Sequence, residues 1–285
     1  MARVISICNQ KGGVGKTTTA VNLASYLAHS GRKVLLVDID PQGNASSGLG
    51  INKHELKQSV YDVLIDDLDP NSVIIKTQID NLMLLPSTIS LTGAEVELVG
   101  TIGREYKLKK ALSPISADYD YVLIDCPPSL GLLTVNAMAA SDSVLIPIQC
   151  EYYALEGLSQ LSHTINLVKD SINPSLSIEG VLLTMANYRT NLTNEVIHEV
   201  KEFFKDKVYN TIIPRNIKLT EAPGFGKPIM LYDKNSVGAQ KYRDFTDELL
   251  GIKKEIVTDG GQPVNNITIS LQDNDLNTVS ESEVK

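Results

Sequence analysis

The chain has 285 residues, of which 42% are hydrophobic, which is sufficient for one large α/β domain with a full core. Aromatic residues make up only 5% and Trp is absent, so we expect a core of Ile, Leu, Val and Ala. The net charge of −8 excludes a polycation that coats nucleic acid, and any contact with DNA would need a local basic patch.

The cysteines and the first residues indicate a cytoplasmic protein. Cys8, Cys126 and Cys150 are odd in number, lie far apart in the sequence and form no CxxC or Cys/His metal pattern. We therefore interpret them as reduced thiols. The chain enters Val4-Ile5-Ser6-Ile7 without the apolar block of a signal peptide, and no apolar run is long enough to span a bilayer.

Short β-branched runs alternate with helical patterns, which predicts a doubly wound α/β fold, a mainly parallel sheet with helices on both faces. We expect strands at Arg3–Cys8, Lys33–Asp38, Leu82–Pro86, Tyr121–Asp125, Ser143–Ile148, Ile178–Thr184 and near Val208–Ile213. Helical spacing predicts helices at Thr17–His29, Leu91–Leu112 (one or two), Leu130–Ala140, Leu155–Ser171, Asn194–Phe204 and Ser236–Leu250.

The amino-acid composition of the sequence changes at about Lys253. Residues 1–252 are expected to form the folded domain. Residues 253–285 are polar and acidic and contain no aromatic residue, so we interpret them as a disordered tail. A short strand at Ile267–Leu271 is the alternative within that segment.

The segment from Asn9 to Thr19 follows a strand and opens a helix, which is the context that a phosphate-binding loop needs. Its glycines allow backbone N–H groups to turn toward phosphate oxygens, and the helix N-terminus adds a positive dipole end. Lys16 is expected to reach the β- and γ-phosphates, and the Thr17 hydroxyl to bind Mg²⁺. A plain glycine turn explains neither residue. The expected ATP contacts in this segment are Lys11, Gly12, Gly13, Val14, Gly15, Lys16, Thr17 and Thr18.

Two carboxylates at predicted strand ends complete this site. Ligands bind at the carboxyl ends of parallel strands, where Asp38-Ile39-Asp40 follows one strand and Asp125 ends another. Asp40 is predicted to orient the attacking water and to lie at the metal, and Asp38 to lie behind the metal ligands, near the loop and Mg²⁺. Asp125 is in the Walker B position for Mg²⁺, and its alternative role is the N-cap of the next helix. Cys126 has no histidine nearby in sequence to activate it, so we interpret it as a buried spectator.

The strict pattern G-x-x-x-x-G-K-[ST] fails here, because Gln10 occupies the first position. The run from Lys11 to Thr17 instead matches the deviant Walker A motif K-G-G-x-G-K-[ST] and resembles the ParA/MinD group of P-loop ATPases. With Asp40, Asp125 and the later run Thr211–Asn216, the chain resembles ParA/Soj-type chromosome or plasmid partitioning ATPases over roughly residues 1–250.

This resemblance implies roles for particular residues. Lys11 would reach across a nucleotide-sandwich homodimer to the partner's phosphates, and Gly12 would be small because the second subunit packs there. The catalytic residues would then be Lys11, Lys16 and Asp40, and the Mg²⁺ ligands Thr17, Asp40 and Asp125. The resemblance also implies an adenine pocket built from Met185, Pro214 and Asn216, for which a plain turn is the alternative.

Members of this family bind double-stranded DNA without sequence preference and hydrolyse ATP when stimulated by the centromere-binding protein ParB. They carry the partition complex over the nucleoid. By resemblance, Arg189 and Lys218 would contact DNA, and Arg215 belongs to the same basic group. A solvated surface charge is the alternative for each of them. Val237 occupies a position where many relatives have Arg, a departure that would weaken DNA affinity.

Other classes share this type of loop. A MinD-like membrane ATPase would need a basic amphipathic helix at its end, but the residues here are rich in Asn, Asp and Ser. An iron–sulfur protein would need cysteines that bridge a dimer cluster. A small-molecule ligase would need a substrate pocket for which no motif is present. A regulator of replication or sporulation factors that uses ATP only as a switch stays open, although Asp40 favours turnover.

Overall fold

The computed structural model describes residues 2–151 and 158–252. Within these ranges one sheet contains seven strands in the order β3-β4-β2-β5-β1-β6-β7. The strands are β1 Arg3–Ile7, β2 Val34–Asp38, β3 Ile75–Lys76, β4 Leu82–Leu85, β5 Tyr121–Asp125, β6 Ser143–Gln149 and β7 Ser177–Thr184. All neighbours pair in parallel except β3 and β4, which are antiparallel. The six strands predicted between residues 3 and 184 are confirmed.

Helices lie between the parallel strands and, in the described ranges, also follow β7. They are α1 Lys16–His29, α2 Asn44–Gly48, α3 Val60–Ile65, α4 Leu91–Glu97, α5 Lys107–Leu112, α6 Leu132–Ala140, α7 Leu158–Ser171, α8 Asn191–Phe204, α9 Ile217–Glu221, α10 Ile229–Tyr232 and α11 Val237–Leu249. The predicted region Leu91–Leu112 forms two helices, α4 and α5. Residues 155–157 of the predicted helix Leu155–Ser171 lie outside the described residues, as do the predicted tail at 253–285 and its alternative strand.

The strand predicted near Val208–Ile213 is wrong. This segment runs beside β7, and its Tyr209 and Ile213 N–H groups donate to the Val181 and Leu183 carbonyls. Its pairing with β7 is nevertheless limited, in the described ranges, to the isolated bridge Val181–Val208, and the bridge Ala186–Pro214 lies beyond the end of both segments. The Glu248 carboxylate accepts the backbone N–H groups of Asn210 and Thr211, at 2.6 and 2.9 Å. Those donors are therefore not available to a strand ladder, and regular pairing is interrupted.

The sheet is covered on both faces. All five residues of β2 are buried, and alternate residues enter two separate apolar clusters, Leu35 and Val37 in one, Leu36 in the other. The cluster that contains Leu36 also contains residues of α1 and α11, and the other contains residues of α5 to α8. This arrangement confirms the doubly wound fold, since strands buried on both sides need helices on both sides.

The topology brings the predicted site residues to one edge. β1 lies between β5 and β6 in the sheet. The chain therefore leaves β1 toward β2 on one side of it, and leaves β5 toward β6 on the other side, so the direction of the strand order reverses next to β1. Ligands of open α/β sheets bind at the carboxyl ends of strands where such a reversal occurs. The strand register pairs Asp125 with Ile7 on one side and with Asp38 on the other.

Candidate functional site

The phosphate-binding loop connects β1 to α1. Gly13 and Gly15 have φ angles of 75° and 90°, in the left-handed region that favours glycine. Gly12 does not have a positive φ, and a Cβ built on it would meet only the Pro128 Cβ, at 3.9 Å. The backbone of the loop therefore requires glycine at positions 13 and 15, whereas the fold of the single chain does not require it at position 12.

Two side chains that sequence reasoning missed anchor this loop. The Asn9 amide donates to the Pro147 carbonyl at 2.8 Å, and its Oδ1 accepts the Lys11 N–H at 3.0 Å. The Thr184 hydroxyl donates to the Val14 carbonyl at 2.8 Å. Asn9 is recognisable as a polar residue directly after an apolar strand. Thr184 gives no signal in the sequence, because its contact depends on how the strands are ordered.

Lys16 points into the loop. It is buried, with 6% of its surface exposed, and its Nζ donates to the Lys11 carbonyl at 3.1 Å. Burial lowers the pKa of Lys16, and the nearby Asp125 carboxylate opposes that change. The half-buried Lys11 side chain makes no hydrogen bond or ion pair with the described residues. Thus the two lysines differ, since one is held inside the loop and the other is available at its rim.

The Asp38 carboxylate fixes the backbone of Asp40 through a hydrogen bond. The Asp40 N–H donates to Asp38 Oδ1 at 3.2 Å, and Asp40 Oδ1 accepts the Gln42 N–H at 2.9 Å. Asp38 is fully buried, and its Oδ2 accepts both the N–H and the hydroxyl of Ser46, each at 2.8 Å. Burial raises the pKa of Asp38 to about 6, although the hydrogen bonds from Ser46 oppose the rise.

Asp125 carries a fully buried carboxyl group, and neither of its oxygens has a hydrogen-bond partner among the described residues. Burial raises its pKa well above the usual value, and Asp38 adds to the rise. Thr17, whose hydroxyl lies close by without a well-formed hydrogen bond, favours the charged form, as does Lys16. Asp125 is not the N-cap of the next helix, because Gly131 caps α6.

This donor set fits Mg²⁺. Thr17 and Asp125 offer oxygen ligands beside the loop, and Asp40 follows the neighbouring strand end. In the described ranges, no three His, Cys, Asp or Glu side chains form a complete metal cluster. Magnesium is usually bound through one or two carboxylates together with substrate phosphates, so a full protein cage is not needed. A buried, unpaired carboxylate is costly unless a cation compensates it.

The residues predicted for the adenine pocket are only partly brought together. Met185 and Asn216 line one cavity of about 280 Å³ that also touches Gly15 and Thr18. Pro214 is not among its lining residues and bridges to Ala186 instead. Asn216 uses its Oδ1 to accept the Leu219 N–H at 3.3 Å, which leaves its amide N–H donors for a ligand.

The predicted DNA contacts lie on exposed segments after β7. Arg189 is exposed on the loop before α8 and has no ion pair within the described ranges. Arg215 pairs with Glu151 at 3.0 Å, and Lys218 pairs with Glu221 at 2.9 Å. Exposed ion pairs of this kind are screened by water and contribute little to stability.

The fold brings together two cysteines that are far apart in the sequence. The Sγ atoms of Cys8 and Cys126 lie 3.2 Å apart, and both residues are buried. Burial raises the pKa of the Cys126 thiol well above its usual value. The nucleophilic thiolate is therefore disfavoured, as a spectator residue requires.

Comparison with known proteins identifies the family. A model described as AAA domain matches residues 2–178. The chain is 61% identical over 249 residues to the sporulation initiation inhibitor protein Soj of Bacillus subtilis, covering 87% of this chain and 98% of that protein. It is 56% identical over 250 residues to the chromosome partitioning protein ParA of Myxococcus xanthus, covering 88% of each.

A similar solved structure supports ATP and Mg²⁺ as the ligands of this site. It is titled cobyrinic acid a,c-diamide synthase from Mycobacterium smegmatis, with bound ATP analog and magnesium. The TM-score is 0.78 at 40% identity, covering 88% of this chain and 95% of that one. Together with the loop and the unpaired Asp125, this similarity shows an ATPase that uses ATP and Mg²⁺. The chain belongs to the ParA/Soj family of P-loop partitioning ATPases.

Proposed function

We propose that this protein is an ATP-gated switch for chromosome or plasmid partitioning. ATP joins two copies, the dimer binds double-stranded DNA without sequence preference, and a ParB-type centromere-binding protein stimulates slow hydrolysis and release. The observation that carries this proposal is the difference between the two loop lysines. Lys16 is committed to its own loop, whereas the Lys11 side chain has no partner among the described residues.

Dimerisation would account for the exposed Gly12 and for the Lys11 side chain, neither of which the fold of the single chain requires. Gly12 is exposed, and its surroundings would accept a Cβ. A second subunit packed against this loop would require the small residue, and Lys11 of the partner subunit would then neutralise the same triphosphate. The affinity between subunits would depend on the nucleotide, since lysines brought together without phosphates repel each other.

The residues divide the hydrolytic work among them. Lys16 would bind the β- and γ-phosphates, while Thr17 and Asp125 would hold Mg²⁺. When bound, Mg²⁺ supplies charge neutralisation for the phosphoryl group. Asp40 would orient the attacking water in line with the γ-phosphate, and its backbone is fixed by the hydrogen bond to Asp38.

DNA binding would rest on local cations, because the chain as a whole is acidic. The Arg215 N–H donates to the Ala186 carbonyl at 3.0 Å, which joins the segment of Arg215 to the loop that contains Arg189. Dimerisation would double this basic group. Binding through phosphates releases counterions and weakens steeply with salt. Such binding would place the ATP-bound protein on the nucleoid.

Co-sedimentation with double-stranded DNA in ATP, in ADP and without nucleotide tests the proposal. We expect retention in ATP only, and a loss of retention in Arg189→Glu with unchanged nucleotide affinity. Arg32→Glu is the matched control, since Arg32 is exposed between α1 and β2 at the opposite edge of the sheet. Equal retention in all three nucleotide states would reject the switch. ATPase assays with and without DNA and a ParB-type partner test the stimulation.

A second candidate function is regulation of replication or sporulation factors, which is favoured by similarity to the sporulation initiation inhibitor protein Soj of Bacillus subtilis. This function would use the ATP-bound state without needing turnover. Asp40→Ala, which should bind ATP without hydrolysing it, would keep such regulation but stop partitioning. If Asp40→Ala restores control of replication or sporulation in a deletion strain that shows no partitioning defect, the result would therefore favour the regulator.

Membrane attachment is the function of the MinD-like alternative. Within residues 2–151 and 158–252, the structure contains no helix that is both long and apolar enough to cross a bilayer. Liposome pelleting in ATP tests peripheral attachment. Pelleting of the protein in ATP, but not in ADP, would support the alternative over DNA binding.

A further inference from the structure

Ser46 connects two strand ends through one hydroxyl group. It lies on α2 and is fully buried. Its hydroxyl donates to Asp38 Oδ2 at 2.8 Å and accepts the Ser87 N–H, which follows β4, at 3.1 Å. The backbone N–H of Ser46 donates to the same Asp38 oxygen at 2.8 Å. A continuous set of hydrogen bonds therefore runs from Ser87 through Ser46 to Asp38.

The other carboxylate oxygen of Asp38 extends these hydrogen bonds to Asp40. Asp38 Oδ1 accepts the Asp40 N–H at 3.2 Å, so the orientation of the Asp38 carboxylate determines where the Asp40 backbone is held. Two donors on a single oxygen prevent rotation of that carboxylate. The register also pairs Asp38 with Asp125, and like charges on neighbouring strands repel. The donors of Ser46 oppose that repulsion by stabilising Asp38 on the α2 side.

We propose that Ser46 is a positioning residue for ATP hydrolysis, acting through Asp38 to fix Asp40. This inference depends on the hydrolytic role proposed for Asp40. Loss of the Ser46 hydroxyl removes one donor from Asp38 and leaves the buried Ser87 N–H without its acceptor. Buried groups without a hydrogen-bond partner are costly, so the backbone around Asp40 would move to regain partners. ATP binding would persist, because the loop is anchored separately by Asn9 and Thr184.

Neighbouring Ser47 provides the matched control. It lies on the same short helix, but its hydroxyl donates to the Gly43 carbonyl at 3.2 Å. Basal kcat and KM are measured in MgATP without DNA or a partner protein, with ATP affinity and thermal midpoint measured on the same samples. We expect Ser46→Ala to lower kcat about tenfold and to leave the Kd of ATP within about twofold. Ser47→Ala should retain wild-type kcat, and Ser46→Thr should recover most of it.

A double-mutant cycle with Asp38→Asn separates positioning from general stability. If Ser46 acts through Asp38, Ser46→Ala should lower kcat no further in the Asp38→Asn background. Independent, multiplying losses would overturn the inference, as would a Ser46→Ala variant that is less stable but turns over at the wild-type rate. This cycle also decides the matter if the buried site does not accept the methyl group of Ser46→Thr.

Asp40→Ala completes the series. If it turns over ATP at the wild-type rate, the proposed role of Asp40 is wrong. If it is inactive while Ser46→Ala is unaffected, the proposed function stands and only the role of Ser46 is rejected.

Discussion

Asparagine in place of Asp125 should stabilise the nucleotide-free protein and weaken its response to MgATP. Asp125 is fully buried without a hydrogen-bond partner among the described residues, and burial raises its pKa. A carboxyl whose pKa is higher in the folded than in the unfolded state favours folding least at high pH. Stability is lost as the pH rises from the unfolded pKa to the folded one. At neutral pH the wild-type protein has therefore lost stability that an uncharged asparagine of similar shape would not lose.

The magnitude follows from the cost of a buried group without a partner, about 1–3 kcal/mol and more when it is charged. Asparagine still buries an amide, so the net gain should be about 1–2 kcal/mol. For a domain of this size, that gain corresponds to a rise of about 2–8 °C in Tm. Wild-type protein should gain about 2.7 kcal/mol from MgATP at a hundredfold excess over Kd, and most of this gain should be absent in Asp125→Asn. The order of stability should thus reverse when MgATP is added.

Scanning calorimetry in EDTA and in saturating MgATP measures both states. Asp142→Asn is the control, because Asp142 accepts the Val4 N–H at 2.8 Å at the opposite edge of the sheet. This control should gain no stability and should keep the full MgATP response. The advantage of Asp125→Asn should also shrink as the pH falls toward 4. A lower Tm for Asp125→Asn in EDTA, or a full MgATP response, would refute the reasoning.

Three further predictions concern the loop. Gly12→Val should bind ATP normally by calorimetry yet stay monomeric by light scattering. Gly13→Val should lose ATP affinity, because the Gly13 φ of 75° would strain a side chain. Equal ATP affinity in the two variants would contradict this distinction. Thr184→Val leaves the Val14 carbonyl without its donor, so the free energy of unfolding measured in urea should fall by about 1–2 kcal/mol. An unchanged midpoint of urea unfolding would show that this hydrogen bond is unimportant. Lys16→Ala should abolish nucleotide binding in the same calorimetric assay, and wild-type affinity would contradict its role.

The sequence predicted most of the fold because the strands carry local signals. β2 and β5 are apolar on both faces, and each ends in a carboxylate at the edge where the loop lies. The glycines and lysines of the loop have fixed spacing, so its position followed from the sequence. Asp125 was a predicted metal ligand, and the structure adds its lack of a hydrogen-bond partner among the described residues.

Contacts between distant residues explain what could not be predicted. The segment near Val208 has strand-like composition, but the carboxylate of Glu248 takes two of its donors. β3 has two residues, too few for an alternating pattern. The hydrogen bond from Ser87 to Ser46 spans 41 residues, and nothing in either local sequence indicates it.

The oligomeric state of Asp40→Ala tests the central claim most directly. Light scattering after size exclusion is measured in saturating MgATP and in MgADP, with Lys11→Ala/Asp40→Ala as the comparison. Paired lysines around one triphosphate predict a dimer of Asp40→Ala in MgATP, and monomers in MgADP and in the double variant. An Asp40→Ala protein that stays monomeric in saturating MgATP would contradict the account.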